Sequence, residues 1–158
     1  MKKLLSVFLT ALLVCALLPV SGIAAKGTFT LMIYLCGTDL ESDGGAATYD
    51  LMEMVNAGIS QSGGLNVIVQ TGGTKKWHAD GITDREVERW ELTDEGIMFA
   101  ESVGKADMGK QSTLASFIDF GISNYSADRY GLILWDHGSG ASGGVCHDEM
   151  SDDPRCNC

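Results

Sequence analysis

The run Tyr130-Gly-Leu-Ile-Leu-Trp-Asp-His-Gly-Ser-Gly140 constrains this chain more than any other stretch. Large apolar residues from Leu132 to Trp135 lead straight to a histidine and then a glycine-rich loop. An apolar run with no polar alternation reads as a strand buried on both faces, as in a parallel sheet covered by helices. Such sheets bind ligands and do chemistry beyond the carboxyl ends of their strands. His137 holds that position, and a titratable imidazole there suits a general base. Gly138, Gly140, Gly143 and Gly144 leave open backbone beside it. The plainer alternative is a strand-end histidine satisfied by its neighbours.

Upstream, Thr28 to Leu35 reads as a first strand, broken at Cys36-Gly-Thr-Asp39. Apolar residues at 47, 51, 54 and 55 predict an amphipathic helix over 46–57, stopped by Gly58. Gly63-Gly64 turns into a second buried strand, Leu65 to Val69, which Gly72-Gly73 ends. Glu86-Val-Glu-Arg-Trp-Glu-Leu92 alternates polar and apolar residues, which predicts a half-exposed strand or hairpin. Leu114, Phe117, Ile118, Gly121, Ile122 and Tyr125 mark a second helix facing the sheet. The resulting order predicts an α/β fold in one domain: a three-layer sandwich with a mainly parallel sheet and right-handed crossovers.

The first 25 residues read as a secretory signal peptide: Lys2 and Lys3, an apolar Leu4 to Val20, then the small residues Ser21-Gly-Ile-Ala-Ala25. Cleavage near Ala25 leaves no stable membrane anchor and puts Lys26 to Cys158 outside the cytoplasm. Removing the two leader lysines takes the formal charge from −10 to −12. That balance excludes nucleic acid as a partner, since phosphate binding needs a basic surface. An acidic surface suits basic peptides or calcium. Cys36, Cys146, Cys156 and Cys158 can form two bridges in any of three pairings, although Cys36, ending an apolar strand, reads as a buried small side chain.

Other patterns carry less. Gly140-Ala-Ser-Gly-Gly144 spells a nucleophile elbow but does not follow its strand directly. Cys146, His147, Cys156 and Cys158 lack the usual zinc spacing, and Asp148, Glu149, Asp152 and Asp153 lack a calcium-loop pattern, so a solvated acidic loop is the better reading. Gly72-Gly-Thr-Lys-Lys76 lacks the ending of a phosphate loop, and His78 reads as a surface residue. Asp136 reads as structural. Asp39 and Glu41 lie beyond the first strand, at the same sheet edge as His137, where they either build a cleft or cap the next helix.

Met32-Ile-Tyr-Leu-Cys-Gly-Thr-Asp-Leu-Glu-Ser42, followed by Gly45-Ala-Ala-Thr48 and Leu51-Met-Glu-Met54, resembles the opening of secreted clostripain-like cysteine peptidases. Leu132-Ile-Leu-Trp-Asp-His-Gly-Ser-Gly140 with Gly144-Val-Cys-His-Asp-Glu149 is similar to that family's histidine motif. The resemblance covers about residues 28–150. It implies a caspase-like sandwich and a Cys/His dyad that cleaves peptide bonds after Arg or Lys, with calcium used by some members. His137 then matches the dyad histidine, and the amide of Gly138 part of the oxyanion hole.

In that family the nucleophilic cysteine follows the next strand, some tens of residues past the histidine, in an Asp-Ala-Cys-like motif. Here Cys158 follows His137 by 21 positions with no further apolar strand between. Residues 26–150 are thus expected to be the amino-terminal part of the peptidase domain and 151–158 an irregular tail, truncated before the nucleophile and inactive alone. The expected partners are peptide or protein substrates with Arg or Lys at the cleavage site, and a missing carboxy-terminal chain that carries the cysteine. Cys146 is a poor substitute, because nearby acidic residues raise a thiol pKa. Arg155 lies where such enzymes cut themselves after a basic residue, and is otherwise an ordinary exposed arginine. The rival readings are a non-catalytic secreted binding module on the same fold, and an exported nucleotide- or flavin-binding domain that lacks a proper phosphate loop.

Overall fold

The computed structural model describes residues 28–58 and 63–151. The signal peptide, Asp152, Asp153, Arg155, Cys156 and Cys158 lie outside the described residues. Among the described residues five strands form one sheet: β1 (Phe29–Cys36), β2 (Leu65–Gly72), β3 (Val87–Thr93), β4 (Gly96–Gly104) and β5 (Arg129–Trp135). The helices are α1 (Thr38–Gly44), α2 (Ala46–Asn56), α3 (Gln111–Asn124) and a single turn, α4 (Gly140–Gly143). The strand order is β4-β3-β2-β1-β5. β1 pairs in parallel with both β2 and β5, whereas β2–β3 and β3–β4 pair antiparallel. The predicted hairpin is therefore the β3–β4 pair.

Alternation along β1 builds both halves of the core, since successive side chains point to opposite faces of a strand. Ile33 and Leu35 face one side, packed with Val67, Val69, Trp90 and Leu92 of the sheet and with Ala47 and Leu51 of α2. Met32, Tyr34 and Cys36 face the other, with Ile68, Met108, Phe117 of α3 and Cys146. One helix thus covers each face of the sheet, which is the three-layer sandwich. The predicted stripe of α2 holds: Ala47 and Leu51 are buried, and Met54 packs against their cluster.

β5 departs from expectation. Its apolar run is not buried on both faces, because β5 ends the sheet and pairs with β1 alone among the described residues. Leu132 and Ile133 remain 39% and 44% exposed, one on each face. β1 and β2 are the strands that match the buried pattern. β3 departs in the opposite direction and is almost wholly buried, Glu88 and Arg89 included. Its neighbour β4 forms the outer edge and leaves Phe99 exposed, edge-on to Trp90 with ring centroids 5.3 Å apart. Arg89 is tolerated inside because Gln70 Oε1 (2.8 Å), Ser116 Oγ (2.8 Å) and Glu101 accept its guanidinium hydrogens. A buried charge needs such partners.

The short helix α1 has no counterpart in the sequence reading. Glu41 within it is fully buried. Its carboxylate accepts the Thr48 N–H (2.8 Å), the Thr48 hydroxyl (2.6 Å) and the His78 N–H (2.7 Å). Glu41 therefore satisfies an open donor in the first turn of α2, which has no side-chain cap of its own, and ties the 73–78 loop to it. Replacing Glu41 by Ala leaves three part-buried hydrogen bonds without their acceptor. The expected loss is about 2–4 kcal/mol of unfolding free energy, measured by urea denaturation; a loss below about 0.5 kcal/mol, the level of an ordinary surface change, contradicts this role.

Candidate active site

β1 and β5 run parallel and in register, Leu35 opposite Trp135. Both leave the sheet at the same edge, so the residues that follow them meet. After β1 come Gly37, Thr38 and Asp39; after β5 come Asp136 and His137. His137 Nε2 lies 2.7 Å from Asp39 Oδ1, and both side chains remain more than half exposed. The hydrogen bond that His137 donates to Asp39 is the main cause that raises the His137 pKa, and the same bond holds the Asp39 carboxyl below its usual range. Beside them opens a cleft of about 550 Å³ whose walls include Asp39, Asp136, Ser139, His147 and Glu149 and, among the described residues, no lysine or arginine.

Asp136 is a structural residue. Its Oδ1 accepts the Thr38 hydroxyl (3.2 Å) and the His137 N–H (2.5 Å), and its Oδ2 accepts the His147 N–H (2.7 Å). Thr38 itself stands at φ +47°, in the left-handed region. For a β-branched residue that conformation costs on the order of 1–3 kcal/mol. It is held by the Thr38 N–H donated to Gly73 O (3.1 Å) and by the Thr74 hydroxyl donated to Thr38 O (2.8 Å). No residue pattern in the sequence marks Thr38, since its strain is set by contacts with β2's end and with Asp136.

Residues 138–151 then fold back across the strand ends. Gly138 is left-handed at φ +70°, and the space where a side chain would start is open. Cys36 Sγ donates to His147 O at 3.4 Å, and the Glu149 N–H donates to Gly73 O at 3.1 Å. The Glu149 carboxylate accepts the Ser42 hydroxyl (3.1 Å) and the Lys75 N–H (3.0 Å), and pairs with Lys75 Nζ (3.2 Å). Partial burial opposes its ionisation, but these donors outweigh it and lower its pKa. Asp148 is buried, which raises its pKa, while the Met108 N–H (2.7 Å) and Met150 N–H (2.8 Å) bind its two oxygens. The described half of the acidic loop is therefore not the solvated loop that its composition predicts; Asp148 and Glu149 are clasps.

The other candidates separate cleanly. Cys36 and Cys146 are both fully buried in the α3-side core, and neither lines the cleft. Among the described residues no group of His, Cys, Asp and Glu is placed to hold a metal ion. The Gly140–Gly144 pattern forms a single helical turn after a loop, not an elbow at a strand end. His78 is exposed and bonds Ser42 O through Nε2 at 3.2 Å. The Gly72-Gly73-Thr74 turn hydrogen-bonds the Gly37–Thr38 backbone, so its role is to support β1's exit.

Comparison with known proteins agrees with this fold. The sequence profile of the Clostripain family matches residues 33–157. Clostripain of Hathewaya histolytica is 30% identical over a 131-residue alignment that takes in 73% of this chain and 24% of that protein. The chain thus spans about a quarter of the curated relative's length. Among solved structures, a B. fragilis cysteine protease superimposes with a TM-score of 0.55 at 16% identity, over 72% of this chain and 92% of that one. A clostripain from Bacteroides thetaiotaomicron, in complex with the peptide inhibitor BTN-VLTK-AOMK, gives 0.52 at 17% identity, over 72% of this chain and 93% of that one.

The His137–Asp39 pair has a pH signature. Asp39 raises the imidazole pKa above its ordinary 6.5, and His137 lowers the carboxyl below its ordinary 3.8. The pair's stabilisation is therefore complete between those ordinary values. It is lost as pH rises through the raised imidazole pKa, or falls through the lowered carboxyl pKa. His137→Ala is expected to lower the unfolding free energy more at about pH 5.5 than at about pH 8.5, measured by urea denaturation. An equal cost at both contradicts the pairing.

Proposed function

The chain belongs to the Clostripain family, and on that footing we propose that it supplies the histidine half of a secreted Cys/His endopeptidase that acts after Arg or Lys. The observation that carries this is the position of His137: an exposed imidazole at the carboxyl end of β5, facing an acidic cleft. In the proposed reaction the imidazole takes the thiol proton, and the thiolate attacks the scissile carbonyl carbon. The Gly138 N–H donates to the developing oxyanion. The imidazolium then protonates the leaving amine, and a water activated by His137 hydrolyses the thioester.

The carboxylates around the cleft, Asp39, Asp136 and the Lys75-paired Glu149, favour a cationic side chain by simple electrostatics. The lysine that ends the inhibitor peptide of the Bacteroides relative supports the same preference.

The nucleophile comes from outside the described residues, since both described cysteines are buried away from the cleft. The open edge of β5 supports where it enters. A further parallel strand would pair with the open edge of β5, flank Leu132 and Ile133, and end at the same sheet edge as His137, about 4.8 Å away. A cysteine just past that strand's end then reaches the imidazole.

Reading the gene beyond codon 158 in all three frames tests this proposal. The expected result is an apolar strand ending in Asp-x-Cys; its absence from every frame contradicts the reading. The longer polypeptide should hydrolyse Arg- and Lys-containing fluorogenic peptides and lose about 10²–10⁴-fold in kcat on His137→Ala. Residues 26–158 alone should show negligible turnover, and turnover that His137→Ala abolishes would place the whole active site within this chain.

A further inference from the structure

Deepening the peptidase reading, and resting on it, we propose that Asp39 is a positioning residue for His137: its carboxylate takes the Nε2–H and leaves Nδ1 as the nitrogen that accepts the thiol proton. Contact at 2.7 Å between Asp39 Oδ1 and His137 Nε2 is the first support. An ionised carboxylate only accepts hydrogen bonds, so the imidazole must carry its proton on Nε2, and in the neutral ring Nδ1 is then the acceptor.

The scaffold around Asp39 is the second support. Thr38 holds a left-handed φ of +47° against its own side-chain preference. Three hydrogen bonds secure it there: its N–H to Gly73 O (3.1 Å), the Thr74 hydroxyl to its carbonyl (2.8 Å), and its hydroxyl to Asp136 Oδ1 (3.2 Å). The next residue in the chain is Asp39. Strain retained at a site by its surroundings is a mark of preorganisation, and here it fixes the departure of α1 so that the carboxylate meets the ring.

Among the described residues, the other carboxylates on the cleft are committed elsewhere. Asp136 spends Oδ1 on Thr38 and on the His137 amide, and Oδ2 on the His147 amide. Glu149 is committed to Ser42 and Lys75. His147, the remaining titratable group on the cleft, follows from the folded-back segment.

NMR of the chain labelled with ¹⁵N-histidine tests the proposal, with the three rings assigned through His78→Gln and His147→Gln. In the wild type the neutral His137 ring is expected as the Nε2–H tautomer. Asp39→Asn keeps an acceptor oxygen but removes the charge; it should preserve the tautomer and lower the titration midpoint. Asp39→Ala should lower the midpoint and let the Nδ1–H tautomer appear, and Asp39→Glu should restore both properties. An unchanged tautomer and midpoint in Asp39→Ala, with the His78 and His147 signals unmoved, overturns the proposal. Should a variant fail to fold, the wild type still decides. The ¹³C carboxyl signal of Asp39 must show an inflection at the His137 midpoint, and its absence overturns the pairing. The readout needs no substrate, so Asp39's role can fail here with the peptidase reading intact. Conversely, that reading can fail in the activity test while the titration stands.

Discussion

The in-register parallel pairing of β1 with β5 is the interaction on which the site depends. Leu35 lies opposite Trp135, so the chain leaves both strands at one level, and Asp39 and His137 come within hydrogen-bond reach. A slip of one residue would turn every side chain of β5 to the opposite face and carry His137 away from Asp39. Side-chain bonds pin the register at both ends. Trp135 Nε1 donates to Asp50 of α2 at 2.7 Å, and the Thr28 N–H donates to Asp128 at 2.7 Å. The apolar alternation of β1 sets the sandwich, and these polar contacts set which residues face each other at its edge.

Carboxylates do most of the fixing around the cleft, and each does so by accepting hydrogens from backbone or hydroxyl donors. Glu41 joins α1 to α2 and to the His78 loop, Asp136 joins β5 to Thr38 and His147, and Asp148 joins the returning segment to Met108. Hydrogen bonds to charged acceptors are stronger than neutral ones, and losing one partner leaves a costly orphan. The acidic composition thus divides into two roles. Buried and half-buried carboxylates build the frame, while the more exposed Asp39 faces the His137 ring.

Much of this was legible in the residues. The strands at 28–35 and 65–69, the helices at 46–57 and around 114–125, and the hairpin after Glu86 all carry periodic apolar signals, and the glycines mark their ends. His137 could be picked out because a strand leads straight into it. α1 was not legible, since seven residues are too few to show a helical period. The exposure of β5 was not legible either. Leu132-Ile-Leu-Trp135 looks the same whether a strand is central or has one side still open, because the pattern records what the chain can bury, not what covers it here. Glu41, Asp148 and Arg89 were hidden for a related reason. A buried charge is made tolerable by partners distant in sequence, such as Met108 for Asp148, 40 positions away.

A crystal structure of a polypeptide that includes the proposed cysteine-bearing strand, reacted with a lysine-containing acyloxymethyl ketone, tests the central claim most directly. The account predicts that the alkylated cysteine sits at the end of a strand paired with β5, its sulfur within about 4 Å of His137, and that Asp39 stays on the far nitrogen of the ring. An alkylated cysteine on any other edge of the sheet, or a His137 ring turned away from it, would contradict the account.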